Sequence, residues 1–223
     1  MKIIELEIST TRLLKQLRFF RDTLGLEIIK EDEDSFVVSL GDSVLKFQQS
    51  EDATPYHIAF HIPDKQEDQA LKWLKSRVEI LKNDKEEIID FSGWNAKSIY
   101  FYDEDFNILE LISRRDFNKP ESSDFSEKSF LGIAEVGLAT AFIEEKYQFL
   151  HQKCGLEVFD GNFENFCAIG DDKGLLITID KNLKDWFPTG DEAFGSDFRI
   201  KFEHQGKNCE LAFNHDRLEM VKK

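Results

Sequence analysis

Apolar and polar positions alternate with period two through Ile3–Ser9. The step then changes, and Leu13, Leu17, Phe20 and Leu24 recur at intervals of four, three and four. Period two places alternate side chains on opposite faces of a strand, whereas the three-and-four step gathers them on one face of a helix. Thr10 and Thr11 stand between the two patterns as N-cap candidates, and Gly25 is placed to stop the helix. Short apolar runs at 26–31, 35–40 and 43–49 predict three more strands, turned at Asp32-Glu33-Asp34 and Gly41-Asp42. The order is β-α-β-β-β.

The same order returns. Tyr56-His57-Ile58-Ala59-Phe60-His61-Ile62 alternates as a strand, Ala70, Trp73, Leu74 and Arg77 mark one side of a helix, and strands are predicted near 86–91, 97–103 and 107–113. Between Asp116 and Ser129 the composition turns to Asp, Asn, Lys, Pro, Glu and Ser, as in a linker. A third unit repeats the first at a constant offset of 130 residues: Glu5 maps to Glu135, the helix stripe to Ile143, Tyr147, Leu150 and Cys154, and Gly25-Leu26-Glu27 to Gly155-Leu156-Glu157. After Asp180 the pattern decays to two strands, 198–203 and 208–213, around Gln205-Gly206. These readings predict an α+β protein of repeated βαβββ units. Residues 1–115 form a complete two-unit domain, 116–129 a linker, and 130–223 a third unit followed by degenerate strands.

Composition narrows the function. A net charge of −15 repels phosphate backbones and anionic headgroups, so neither nucleic acid nor membrane is an expected partner. The three cysteines, Cys154, Cys167 and Cys209, are odd in number and form no Cys-x-x-Cys pair, which suits a reducing compartment. No stretch approaches the roughly 18 apolar residues of a membrane span, and Met1 leads directly into a strand. A cytoplasmic protein is the expectation.

Candidate chemistry lies where charge interrupts apolar strands. His57 and His61 share one face of their strand, while Glu5 sits in Ile4-Glu5-Leu6 and Glu110 in Leu109-Glu110-Leu111. The paired βαβββ units, Gly-Leu-Glu after the first helix, and Ser98-Ile-Tyr-Phe-Tyr-Asp-Glu-Asp-Phe-Asn-Ile-Leu-Glu-Leu111 closing the second unit together resemble the vicinal oxygen chelate superfamily. Glyoxalases, extradiol dioxygenases and bleomycin-resistance proteins belong to it. The resemblance implies a glyoxalase-like cup formed by the first two units, with a second, reduced copy behind it. It implies metal ligands at Glu5, His57 and Glu110, holding Fe, Mn, Ni or Zn. The fourth ligand position falls on Lys46, whose ammonium cannot coordinate while protonated. Either Lys46 steers an anionic substrate beside a three-ligand metal, or it pairs with Glu5 or Glu110 and keeps a metal out.

The implied function is a metal-dependent lyase or isomerase, or an extradiol-type dioxygenase, acting on a small substrate with vicinal oxygens. Lys46 and His61 are its candidate catalytic groups. The alternative is a metal-free small-molecule-binding protein of the bleomycin-resistance type. Glu135 repeats Glu5, but its unit lacks a histidine strand and a last-strand glutamate, so no metal is expected there. Trp94 and Tyr100 suit either a cavity wall or ordinary packing. Trp186-Phe187-Pro188-Thr189 suits a plug or a contact in a homodimer. The resemblance implies a Gly at the turn position that Phe106 occupies; a bulky residue is disfavoured at positive φ, so a reshaped turn is expected before the Glu110 strand.

Overall fold

The fold comes from a computed structural model that describes every residue except 116, 118, 121, 222 and 223. The first unit contains β1 (Lys2–Thr10), α1 (Leu13–Arg18), β2 (Ile28–Glu31), β3 (Ser35–Leu40) and β4 (Ser43–Gln49). Its helix is shorter than the stripe predicted and continues through Phe19–Thr23 in wider π-type turns. The second unit contains β5 (His57–Ile62), α2 (Glu67–Lys75), β6 (Ile80–Leu81), β7 (Ile89–Phe91), β8 (Ala96–Tyr102) and β9 (Ile108–Arg114). The third contains β10 (Gly132–Thr140), α3 (Ile143–Cys154), β11 (Val158–Gly161), β12 (Phe166–Asp171) and β13 (Gly174–Asp180). The chain closes with β14 (Phe198–His204), β15 (Lys207–Asn214) and β16 (Arg217–Met220), the last of which the alternation did not reveal. In the predicted linker, Asp116, Asn118 and Glu121 lie outside the described residues.

The pairing of units differs from the expectation. One sheet runs β16-β15-β14-β1-β4-β3-β2, joining the first unit to the C-terminal strands. The other runs β11-β12-β13-β10-β5-β9-β8-β6, with β7 on β8, and joins the second unit to the third. A cup built from residues 3–113 alone is therefore corrected. The cause is the free edge each leading strand carries. Ile3, Leu6 and Ile8 of β1 lie opposite Phe202, Ile200 and Phe198 of β14, and Ile58 and Phe60 of β5 lie opposite Val136 and Ile133 of β10. Each edge takes an antiparallel partner whose apolar residues fall on the same face, from the other half of the chain.

One continuous apolar core links the two sheets and includes Leu6, Phe47, Phe60, Leu111, Val136, Phe202 and Phe213. Leu17 and Phe20 from the first helical segment, Leu74 from α2 and Leu150 from α3 pack into it. The sheets also meet through polar atoms. The Ser43 hydroxyl donates to the Ile3 carbonyl at 2.7 Å and accepts from the Ile133 amide at 2.9 Å. Next to it, Gly41 has φ +56°, and a Cβ there would lie 2.6 Å from the Leu131 carbonyl oxygen, so only glycine permits this approach.

The internal two-fold repetition reaches the turns. The Thr10 hydroxyl donates to Asp105, and the Thr140 hydroxyl donates to Asp216. Each threonine also accepts from the amide two residues on, rather than capping its helix directly. Phe106 does adopt positive φ, at 62°. The turn is held by buried Asp103, which accepts from the amides of Asp105 and Asn107 at 3.0 Å, and β9 starts where alternation places it.

Candidate metal centre

All six residues of β5 are buried. Ile58 and Phe60 enter the core between the sheets, so His57, Ala59 and His61 point to the opposite, concave face. Ala59 lies opposite Glu110 of β9 on one side and Glu135 of β10 on the other. A methyl group between two carboxylate-bearing strands leaves the space above it open. His57, one step along the same face, completes the group.

His57, Glu110 and Glu135 each offer a donor atom, and these atoms lie within 4.8 Å of one another. Among the described residues this is the one such group of three. All are buried, with Glu110 2% and Glu135 3% exposed, and His57 Nε2 is 3.4 Å from Glu110 Oε2. Burial lowers the His57 pKa to about 4, so the imidazole is neutral at pH 7 and has a lone pair to give. Burial raises both carboxylates, Glu110 further through the charge of Glu135; Arg114 opposes the rise at Glu135. Its Nη2 donates to Glu135 Oε1 at 2.7 Å. One neutral nitrogen and two carboxylates, converging and desolvated, are a donor set that suits a divalent first-row metal.

The group lies in a cavity of about 360 Å³. Phe91, Trp94, Tyr100, Phe166, Trp186 and Phe187 form most of its wall, with Lys184, Asp185 and Asp160 among the polar lining. The Trp186-Phe187 segment thus packs against the cavity. Its indole lies 5.2 Å from the His57 ring and packs on Gly137, where an added Cβ would meet the indole at 2.8 Å.

The sequence-derived site residues divide between the sheets. His57 and Glu110 are together. Glu5 is on the other sheet, where its carboxylate accepts from Lys201 Nζ at 2.8 Å, so it is not brought to His57. Lys46 donates to Glu7 Oε2 at 2.9 Å on that same sheet, in place of the expected pairing with Glu5 or Glu110. His61, the other candidate catalytic group, is buried away from His57's cavity, stacked 4.8 Å from Phe117 with Nε2 3.3 Å from the Lys173 carbonyl, and it lines a separate cavity of about 220 Å³. Glu135, assigned no metal from its sequence, takes the place given to Glu5. The parallel pairing confirms the equivalence: Glu7 faces Lys46 as Gly137 faces Ile177. The fourth position of the cup that contains His57, Glu110 and Glu135 is thus Ile177, an apolar lining residue.

Repeated βαβββ units that curl around an imidazole and two carboxylates place the chain in the class of glyoxalase-like folds. The chain is 37% identical over 111 residues to the metallothiol transferase FosB of Staphylococcus haemolyticus, covering 46% of this chain and 76% of the relative. The FosB of Staphylococcus epidermidis matches over the same share. A solved Bacillus subtilis structure, provisionally assigned as a dioxygenase, superposes with a TM-score of 0.59 at 16% identity, covering 80% of this chain and 63% of that one. No family profile matches. The chain belongs to the vicinal oxygen chelate superfamily.

Proposed function

We propose that this protein is a metal-dependent enzyme acting on a small substrate with two adjacent oxygens. His57, Glu110 and Glu135 would hold the ion. The observation that carries this reading is the convergence of one neutral imidazole and two buried carboxylates at a cavity wall. Burying two carboxylates this close costs several kcal/mol unless cations compensate them, and Arg114 reaches only one. A divalent ion bound there would act as a Lewis acid, polarising a substrate carbonyl or stabilising an enediolate or catecholate.

The chain's own residues supply the rest. Strands β5, β9 and β10 fix the three donors on rigid backbone, which favours a preorganised site. Trp186, Tyr100 and Phe91 line the cavity with apolar surface and restrict water around the reacting oxygens. Lys184 is placed to meet an anionic group at the cavity. Glyoxalase-type isomerisation, ring cleavage and thiol transfer, the last being the activity named for the staphylococcal relatives, are the reactions to screen with the loaded protein. The metal-free alternative loses its main support, because Lys46 is paired with Glu7 on the other sheet.

Elemental analysis of untagged protein, after exposure to Fe(II), Mn(II), Ni(II) or Zn(II), tests the proposal. Near-stoichiometric metal, lost in His57→Ala, is the expected result. No metal under any of these conditions would overturn it.

A further inference from the structure

Arg114 stands four residues after Glu110 on the same face of β9 and is 3% exposed. Its guanidinium lies 5.7 Å from the Trp94 ring centroid and 5.8 Å from that of Phe159. Nη2 binds Glu135 Oε1 at 2.7 Å, Nη1 is 3.9 Å from Asp172, and Nε has no hydrogen-bond partner among the described residues. A cation held this deeply between aromatic rings, with a single close carboxylate, has its orientation set by that carboxylate. It occupies one oxygen of Glu135, a residue that lines the cavity.

We propose that Arg114 is a positioning residue of the metal centre that sets both the binding mode of Glu135 and the charge of the site. With Oε1 engaged, Glu135 offers an ion one oxygen. With one carboxylate charge cancelled by the guanidinium, a divalent ion in this shell retains a single net positive charge. The substrate class that matches it is a singly charged anionic chelator, such as an ionised α-hydroxyketone, catechol or hydroxamate, in preference to a neutral diol. This inference rests on the proposed metal site.

The test uses the full-length protein loaded with Co(II), reading its visible absorption and its binding of acetohydroxamate, which chelates as a single anion. Arg114→Met is expected to keep Co(II) but bind acetohydroxamate at least about tenfold more weakly, since the site has lost one positive charge. Adding Glu135→Gln to Arg114→Met removes one negative charge and should restore that affinity, a rescue that a merely structural role would not produce. Arg114→Lys should keep the affinity but shift the Co(II) spectrum, because an ammonium cannot hold Oε1 in the same fork geometry. Glu135→Gln alone, with Arg114 intact, should bind the anion more tightly than wild type, and it serves as the test if Arg114→Met fails to fold. Unchanged acetohydroxamate binding in Arg114→Met, or no gain in the double variant or in Glu135→Gln, would overturn the role of Arg114 while leaving the metal site standing. Failure of wild type to take up Co(II) would overturn both.

Discussion

The two sheets begin from the same plan and end in opposite electrostatic states. On the β5–β10 sheet, Ala59 separates two buried carboxylates, and one histidine stands beside them. On the β1–β14 sheet the register that places Ala59 opposite Glu135 places Lys201 opposite Glu5, with Glu210 on its far side. Arg199 lies opposite Glu7, whose carboxylate is bound by Lys46. Every carboxylate there has a protein cation at hand, and the cluster is half exposed. One copy has neutralised itself with side chains. The other buries two carboxyl groups whose ionisation is opposed by desolvation, with Arg114 bound to only one of them. Repetition of backbone is thus a poor guide to repetition of chemistry.

The largest expected effect separates the sheets directly. His57→Ala should weaken metal binding by roughly two orders of magnitude or more, while Glu5→Gln should leave metal content unchanged; equal losses by elemental analysis would mean both sheets contribute ligands. Next comes the Trp186 segment. Gly137→Val should displace Trp186 from its seat beside His57 and destabilise the fold by ~1–3 kcal/mol in urea unfolding.

The pH dependence of the metal-free protein is third. Glu110 and Glu135 have folded pKa values above their ordinary 4.5, so their contribution is full below that value and is lost as pH rises toward and past neutrality. The pKa of His57 is depressed from 6.5 to about 4, so its contribution is full above 6.5 and is lost as pH falls through about 4. The metal-free melting temperature should therefore fall on both sides of mildly acid pH. Bound metal should flatten the alkaline side; an unchanged slope on metal addition would place the ion elsewhere. The smallest effect is Lys201→Met, which breaks a half-exposed pair with Glu5 and should cost less than about 1 kcal/mol in the same denaturant assay.

Local pattern carried most of the fold and part of the site. The α+β class, three βαβββ units and the strand parities of His57 and Glu110 were all readable from alternation and spacing. Which unit pairs with which was not, because edge pairing depends on contacts across more than seventy residues. A clue existed in the strands themselves. Glu135 is the lone charge in Gly-Ile-Ala-Glu-Val-Gly-Leu-Ala, as expected of a residue buried for its chemistry, whereas Glu5 alternates with Glu7 as on a solvated face. The small residue at Gly137 was a second clue, since it makes room for Trp186 from a segment nearly fifty residues away.

The crossed pairing of units also makes the centre a joint product of two halves of the chain. His57 and Glu110 precede the segment around residues 116–129, and Glu135 follows it. During synthesis, no emerging chain can assemble the three donors until β10 has left the ribosome and found β5. A polypeptide divided within that segment would yield two fragments, neither with the full donor set, so ion capture would report their reunion.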